Sequence, residues 1–246
     1  MGVRELILVR HGESTANVAA TEAERTGADR VDAPLRDADV PLTETGRRQA
    51  EALAVWLRAL PDAAFPEAAL CSPYLRARDT ASIAVSGQRE TLAPRPDERL
   101  RDRELGILDT YTHRGVVSHF PREDARRTRL GKFYYRPPGG ESWADVAFRL
   151  RSLLADLDRE FEGGRLLLFT HDAVIENLRY LCERLDERQL LEIARTDPVV
   201  NASVTVLKRP NGIGPWSLVV HNSVEHLRDL GAPVTAHTGD PDVEPR

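Results

Sequence analysis

The sequence is poor in cysteine, methionine and lysine. Its 246 residues include two cysteines and one methionine, and of its 34 basic residues only Lys132 and Lys208 are lysines. Cys71 and Cys182 form no metal-binding or redox motif, so we expect two buried free thiols in a reducing compartment. This pattern excludes a disulfide-rich scaffold and a cysteine-based metal site.

Long hydrophobic runs are also absent. The longest apolar run near the N-terminus covers residues 6–9, which is too short for a signal peptide or a membrane span. The 34 basic residues stand against 39 acidic ones, a net charge of −5, which argues against nucleic acid as the main partner. We therefore expect a cytoplasmic protein that binds neither membranes nor nucleic acids.

Short apolar runs alternate with longer helical patterns, which predicts an α/β domain with a mostly parallel sheet. Two of the runs, at residues 6–9 and 166–169, are apolar without alternation, as is typical of strands covered on both faces. The predicted strands cover residues 6–9, 68–71, 92–95, 165–169, 203–207 and 216–220.

Polar residues ahead of apolar stripes predict where four helices begin. Thr43 and the Ser72-Pro73 pair are typical of helix starts, and Ser142 has capping-box spacing to Asp145. Asp172 is the predicted cap of a fourth helix.

Three stretches lack these patterns. Residues 18–41 are predicted to form a long loop, and residues 109–141 an insertion over one edge of the sheet. From residue 231 the chain is rich in Pro, Gly and acidic residues, which predicts a disordered tail. We expect one domain over residues 1–230, with a lid insertion at about 109–141 and a disordered tail at 231–246.

Two of the most strand-like runs end in histidine. His11 follows the run at residues 6–9, and His171 follows the run at residues 166–169. Ligands of open α/β sheets bind just beyond the carboxyl ends of the strands, so the two histidines share one site if the strands are neighbours. A structural role is the alternative for either histidine alone, but two at matching positions favour a functional pair.

Two arginines indicate what such a site binds. Arg10 precedes His11, and Arg76 lies in the first turns of the helix predicted at Ser72. Arginine offers a fork of donors that matches phosphate oxygens, and a helix start adds free backbone donors. The arrangement favours a pocket for a phosphoryl group.

Nucleotide and metal motifs are missing. Phe133 follows Gly131-Lys132 where a phosphate-binding loop needs Ser or Thr, and no G-x-G-x-x-G, H-E-x-x-H or G-x-S-x-G occurs. No carboxylate cluster for magnesium is evident. The protein itself is then expected to stabilise charge, through arginine and a covalent histidine.

The sequence VRHGES at residues 9–14, followed by Asn17, resembles the Arg-His-Gly signature of the histidine phosphatase superfamily, which includes cofactor-dependent phosphoglycerate mutases. The likeness runs in order from residue 4 to roughly 227 through residues 42–46, 72–81, 105–106, 139–142 and 170–172. It implies a three-layer α/β/α sandwich with a mostly parallel central sheet and a lid insertion. Homodimers are common in the superfamily, so a homodimer is expected by analogy.

The resemblance also implies roles for individual residues. His11 would be the nucleophile that forms a phosphohistidine. Arg10, Arg76 and His171 would hold the phosphoryl oxygens and stabilise the transition state, and Asn17 would bind the phosphate through its amide. No metal is implied.

The sequence departs from the family pattern at two positions. The family commonly has glutamate, the general acid and base, four residues before a glycine; here this position is Asp102, and Glu104 is the alternative acid. Asp172 stands where the family usually has glycine. A carboxylate in the pocket would repel the phosphate, so we interpret Asp172 as a helix cap.

The preferred function is a metal-independent phosphatase that hydrolyses a small phosphomonoester. The alternatives are a phosphoglycerate mutase primed by 2,3-bisphosphoglycerate and an inactive scaffold of the same fold. Residues 131–142 look more like the phosphatase branches. Residues 114–136 carry seven basic and two acidic residues, and this net +5 favours a substrate with additional negative charge.

Overall fold

One sheet of six strands runs through the residues that the computed structural model describes, 1–33, 36–88 and 92–237. Its order is β3-β2-β4-β1-β5-β6; the first four strands in this order are mutually parallel, and β5 and β6 are antiparallel to their neighbours. The prediction of a mostly parallel sheet is confirmed. The strands are β1 (Glu5–Arg10), β2 (Ala68–Cys71), β3 (Arg95–Pro96), β4 (Arg165–Thr170), β5 (Val204–Lys208) and β6 (Ser217–Ser223).

Helices cover both faces of this sheet. In β1, Ile7 and Val9 join one apolar cluster while Leu6 and Leu8 join another, because successive strand side chains point to opposite faces. Residues of α2, α3 and α9 complete the first cluster, and residues of α6 and α7 complete the second. The predicted three-layer sandwich is therefore confirmed. The helices are α1 (Thr15–Thr26), α2 (Glu44–Ala59), α3 (Leu75–Val85), α4 (His113–His119), α5 (Pro121–Leu130), α6 (Trp143–Glu160), α7 (Asp172–Glu183), α8 (Glu187–Thr196) and α9 (Glu225–Asp229).

The predicted helix starts meet different outcomes. Ser142 forms the expected capping box with Asp145, and the Thr43 side chain accepts a hydrogen bond from the Gly46 amide. The start predicted at Ser72 is wrong, because α3 begins at Leu75 and the Ser72 hydroxyl accepts from the amide of Tyr74. This places Arg76 at the second residue of α3.

The loop predicted at residues 18–41 is wrong in its first part, where α1 lies. Ser14 and Asn17 form a capping box at the start of this helix, and Gly27 ends it in the left-handed conformation. Ala23 is its only buried side chain, so the helix has no apolar stripe that a periodicity test detects. Its caps and alanine-rich composition favour the helix instead.

The insertion at residues 109–141 contains α4 and α5. A small apolar cluster of Leu108, Val116 and Tyr135 holds it together, apart from the two main clusters. The Thr112 hydroxyl donates to the carbonyl of Ala28 at 2.7 Å. The insertion therefore packs on the segment that follows α1.

Residues 231–237 pack on the domain, which differs from the predicted disordered tail. Gln49 donates to the Pro233 carbonyl and the Thr235 hydroxyl, both at 2.9 Å, and the Asn201 amide donates to the Thr235 carbonyl. The side-chain amide of Gln49 and the backbone amide of Asn201 thus pair with a segment that has no helical or strand periodicity. The rest of the predicted tail, residues 238–246, lies outside the described residues. Within the described ranges, no helix has both the length and the apolar character needed to cross a membrane.

Candidate active site

His11 and His171 meet at one edge of the sheet. They directly follow β1 and β4, which are parallel neighbours with Arg10 opposite Thr170. The two imidazole centroids are 5.1 Å apart, and the residues are 2% and 0% exposed. The structure therefore brings the two predicted histidines together in a buried site.

The protonation of the His11 ring follows from its partners. Nδ1 lies 2.7 Å from the carbonyl oxygen of Gly12, and a carbonyl only accepts, so Nδ1 carries the proton and Nε2 a free electron pair. Arg76 Nε donates to this Nε2 at 3.3 Å. Burial, followed by the charges of Arg76, His171 and Arg10, holds the pKa of His11 well below its usual value. The ring is therefore neutral and nucleophilic at neutral pH.

The backbone at Gly12 and Glu13, directly after His11, is held by side chains of α2 and α3. The Gly12 amide donates to the Thr80 hydroxyl at 2.9 Å, and the Glu13 amide donates to Gln49 Oε1 at 2.8 Å. A side chain at Gly12 would lie 2.6 Å from the carbonyl oxygen of Gly46, so only glycine permits this close approach.

Asn201 holds the carbonyl end of His11. Its Nδ2 donates to the His11 carbonyl at 3.1 Å and to Asn17 Oδ1 at 3.2 Å, and its Oδ1 accepts from Thr235. Sequence reasoning missed Asn201 and Gln49 as site residues. Neither lies in a chemical motif, so the sequence carried no signal for them.

Asn17 is tied into this same network. Its Oδ1 accepts from the Ser14 amide at 3.1 Å as well as from Asn201. The Nδ2 amide group of Asn17 is then left to donate hydrogen bonds. Its predicted role in phosphate binding stays a prediction.

Arg76 is the central cation of the site. It is buried, and its Nη2 donates to Asp102 Oδ2 at 2.8 Å. Asp37 accepts from the same guanidinium through its backbone carbonyl at 2.6 Å, through Oδ1 at 2.9 Å and through Oδ2 at 3.2 Å. Sequence reasoning missed Asp37, because it lies in a segment without periodicity or motif.

His171 has acidic and hydroxyl neighbours. Its Nδ1 lies 3.1 Å from Asp102 Oδ2, and its Nε2 lies 2.9 Å from the Ser72 hydroxyl. Burial lowers the pKa of His171, and the charge of Asp102 acts in the opposite direction. Its ring therefore faces a carboxylate on one side, unlike that of His11.

Asp102 and Glu104 occupy different places. Burial opposes the charged form of Asp102, but the charges of His171 and Arg76 outweigh it, so the pKa of this carboxyl lies well below its usual value. Glu104 is exposed and accepts from the Tyr74 hydroxyl at 2.6 Å. The structure brings Asp102 to the histidines and leaves Glu104 outside; which of them transfers the proton stays a prediction.

Arg10 beside His11 is buried and only partly paired. It is 4% exposed, its Nη1 donates to the Val199 carbonyl, and its Nη2 lies 3.6 Å from Asp172 Oδ2. Among the described residues, nothing accepts a hydrogen bond from its buried Nε. An unpaired buried donor is costly, so this nitrogen is available to an anionic ligand.

The capping interpretation of Asp172 is wrong. His171 is the residue before α7, and Asp172 is its first residue; one oxygen accepts from the Ala173 amide at 2.8 Å while the other faces Arg10. One turn further, Glu176 is buried. Burial and then the charge of Asp172 raise the pKa of Glu176 to about 8. Beyond Arg10 the site therefore has one carboxylate, Asp172, and one buried carboxyl, Glu176, that keeps its proton at neutral pH.

In the described part of the chain, no group of three or more His, Cys, Asp or Glu side chains is arranged to hold a metal ion. The cluster instead consists of two imidazoles, two guanidinium groups and carboxylates. This combination is typical of phosphoryl transfer through histidine.

Comparison with known proteins agrees with the fold. Residues 6–223 match the histidine phosphatase superfamily (branch 1). The chain belongs to this superfamily.

Its relatives include both phosphatases and mutases. The chain is 27% identical over 239 residues to a metal-independent phosphoserine phosphatase of Arabidopsis thaliana, covering 97% of this chain and 89% of that protein. It is 30% identical over 191 residues to the 2,3-bisphosphoglycerate-dependent phosphoglycerate mutase 2 of Gloeobacter violaceus, covering 76% and 80%. A mycobacterial glucosyl-3-phosphoglycerate phosphatase solved with VO3 superimposes with a TM-score of 0.69 and 30% identity, covering 89% of this chain and 99% of that one. Together they support a phosphatase-type enzyme.

Proposed function

We propose that this protein is a metal-independent phosphatase that hydrolyses a small phosphomonoester through a phosphohistidine on His11. The observation that carries the proposal is the neutral His11 ring. Its Nε2 is unprotonated and accepts a hydrogen bond from Arg76 Nε, because the ring proton is on Nδ1 and donates to the Gly12 carbonyl.

In the first step, His11 Nε2 attacks phosphorus and the bond from phosphorus to the ester oxygen breaks. The three remaining phosphoryl oxygens carry the negative charge. Arg76, the free Nε of Arg10 and His171 surround this position and stabilise the charge as it develops. The protein thereby supplies the charge stabilisation through its own cations.

The leaving oxygen needs a proton, and Asp102 is the donor we propose. In the free protein His171 and Arg76 keep its pKa low. A phosphate dianion on the same Arg76 places negative charge beside Asp102, which raises its pKa and favours proton uptake with the substrate. In the second step, the carboxylate accepts a proton from water as the water oxygen attacks phosphorus, and the bond to His11 breaks to release phosphate.

The substrate we propose is a small phosphomonoester. The net +5 of residues 114–136 attracts anions, but Asp29 and Asp145, which lie outside this stretch, pair with Arg114 and Arg136. Asp172 adds a carboxylate beside Arg10, whereas Glu176, whose pKa is raised to about 8, is mostly neutral at neutral pH. The preference for additional negative charge is therefore weaker than the sequence alone indicates.

A phosphoglycerate mutase is the second candidate, because a relative that is 30% identical carries that name. A mutase needs 2,3-bisphosphoglycerate to prime the histidine, and it must keep the phosphohistidine from water. A phosphatase only needs water to reach the phosphohistidine. The products distinguish the two reactions, since a phosphatase releases inorganic phosphate and a mutase yields an isomerised phosphoglycerate.

The test is a turnover assay of the purified protein in a chelator, with a panel of phosphomonoesters and with 3-phosphoglycerate plus 2,3-bisphosphoglycerate. We expect phosphate release that is insensitive to the chelator and abolished by His11→Ala. His119→Ala is the matched control, because this histidine is half-exposed in the insertion. Activity that survives His11→Ala contradicts the mechanism, and isomerisation faster than hydrolysis favours the mutase.

A further inference from the structure

All five N–H groups of Arg76 are directed at acceptors of the protein itself. One faces His11 Nε2 at 3.3 Å and one faces Asp102 Oδ2 at 2.8 Å. The remaining three go to Asp37, at 2.6, 2.9 and 3.2 Å. The proposed function requires this guanidinium to bind phosphoryl oxygens, so an incoming phosphate must replace at least one of these acceptors.

Asp37 is the acceptor that is easiest to replace. Its side chain is 38% exposed, whereas those of Asp102 and Arg76 are 22% and 5% exposed. Asp102 is also held by the nearby His171 ring, and Arg149 donates to its backbone carbonyl at 3.1 Å. Asp37 instead lies on a single turn, Asp37–Asp39, between α1 and α2.

Electrostatics point in the same direction. Asp37 and a phosphate dianion on Arg76 are like charges at contact distance, which repel strongly in a partly buried site. Burial and the nearby Asp102 raise the pKa of Asp37, while Arg76 opposes that rise. Its carboxylate is thus already poorly stabilised before a substrate arrives.

We propose that Asp37 is an internal anion that occupies the phosphate-binding face of Arg76 and is displaced when the substrate binds. This inference rests on the proposed function. Asp37 then sets which anions the site accepts, because a ligand must bind Arg76 better than a tethered carboxylate does. This favours tetrahedral dianions such as phosphomonoesters and orthophosphate over carboxylates.

The proposal predicts that loss of the Asp37 charge tightens anion binding. The apparent dissociation constant of a ligand equals the intrinsic one divided by the fraction of protein in which Arg76 is not occupied by Asp37. In Asp37→Asn this competition is weakened, and we expect orthophosphate and orthovanadate to bind about tenfold more tightly than to the unaltered protein. Asp37→Ala, which removes both carboxylate oxygens, should bind them at least as tightly.

The matched control is Asp39→Asn. Asp39 lies on the same turn and pairs with Arg36 on the surface at 3.0 Å, so its replacement makes the same change in net charge without touching Arg76. We expect this variant to bind phosphate within about twofold of the unaltered protein.

The experiment is isothermal titration calorimetry of orthophosphate and orthovanadate into each purified full-length variant, together with KM and the product inhibition constant of phosphate. Tighter binding in both Asp37 variants and not in Asp39→Asn supports the proposal. Equal or weaker binding in the Asp37 variants overturns it while the proposed function stands. If neither the unaltered protein nor any variant binds phosphate, the proposed phosphate site is wrong and this inference is wrong with it.

Discussion

His11 and His171 hold equivalent places on two neighbouring parallel strands, yet their surroundings differ. His11 has Arg76 at its Nε2 and the carbonyl of Gly12 at its Nδ1. His171 has the carboxylate of Asp102 at its Nδ1 and the hydroxyl of Ser72 at its Nε2. Both rings are buried, and burial is the largest cause that lowers the pKa of each.

The difference assigns the two rings different chemistry. The charges of Arg76 and Arg10 add to the effect of burial at His11, so its ring stays neutral and its unprotonated Nε2 is nucleophilic. At His171 burial also lowers the pKa, but the charge of Asp102 opposes it, so this ring is less strongly biased toward the neutral form than that of His11. Position on the sheet brings the histidines together, but their neighbours make His11 the nucleophile that we propose.

The largest effect should come from replacing the two histidines one at a time. His11→Ala should lower kcat/KM by about 10⁵-fold and abolish the phosphoenzyme, whereas His171→Asn should lower it by about 10²–10³-fold and still form the phosphoenzyme slowly. Rapid quench with a ³²P-labelled substrate measures both. If the His11→Ala protein still becomes labelled with ³²P, His11 is not the nucleophile.

The second effect concerns the shape of the cation beside His11. Arg76→Lys keeps one positive charge but loses the planar fork, so we expect kcat/KM to fall by about 10²-fold. Arg78→Lys, two residues along the same helix α3, is the control. Steady-state kinetics that show equal losses in both variants contradict the specific role of Arg76.

The acid beside His171 is tested with two leaving groups. Asp102→Asn should lower kcat by about 10²–10³-fold for an alkyl phosphate and much less for a nitrophenyl phosphate, which leaves without a proton. Glu104→Gln should change both rates by less than about threefold, because this carboxyl is exposed and pairs with the Tyr74 hydroxyl rather than with the histidines. The reverse pattern assigns the proton transfer to Glu104.

The pH profile of kcat/KM reports the environment of His11. Since its pKa is well below the usual value, the free base persists as the pH falls, and the acid limb due to the nucleophile should lie below that of an ordinary histidine. For a nitrophenyl phosphate we expect no loss from this group between about pH 7 and pH 5.5, where an ordinary histidine would cost about tenfold. A slope near pH 6.5 that is absent from the titration of the substrate contradicts this expectation.

The last prediction concerns protein stability rather than activity and tests the buried Glu176. The pKa of Glu176 is raised to about 8 from 4.5, so between these values the folded protein keeps a proton that the unfolded chain loses. Stability then falls as the pH rises through this window. Glu176→Gln should therefore be more stable than the unaltered protein at about pH 9, by roughly 2–4 kcal/mol, and similar to it at about pH 4.

Urea unfolding at both pH values measures this difference. The control is Glu192→Gln, at an exposed position paired with Arg195, which should show almost no pH-dependent difference. An equal shift in both variants contradicts a buried, neutral Glu176.

Much of the sheet and of the central site was predictable, because those signals are local. The apolar runs at β1 and β4 predict strands covered on both faces, each ending near a histidine, and the structure shows that these strands are neighbours. The Ser142–Asp145 capping box is likewise local and was predicted correctly. The helix α1 was missed because its one buried side chain, Ala23, leaves no period to detect.

The sequence by itself determined the residues of the site: two histidines and two arginines whose strand-end and helix-start positions follow from local pattern. Only the tertiary structure decided their partners. Asp37 reaches Arg76, Asn201 reaches the His11 carbonyl, and Asp172 faces Arg10 rather than capping its helix. These contacts join segments far apart in the chain or depend on the direction of one side chain. Neither hydrophobic periodicity nor capping preference specifies such a choice, because both describe interactions within a few residues.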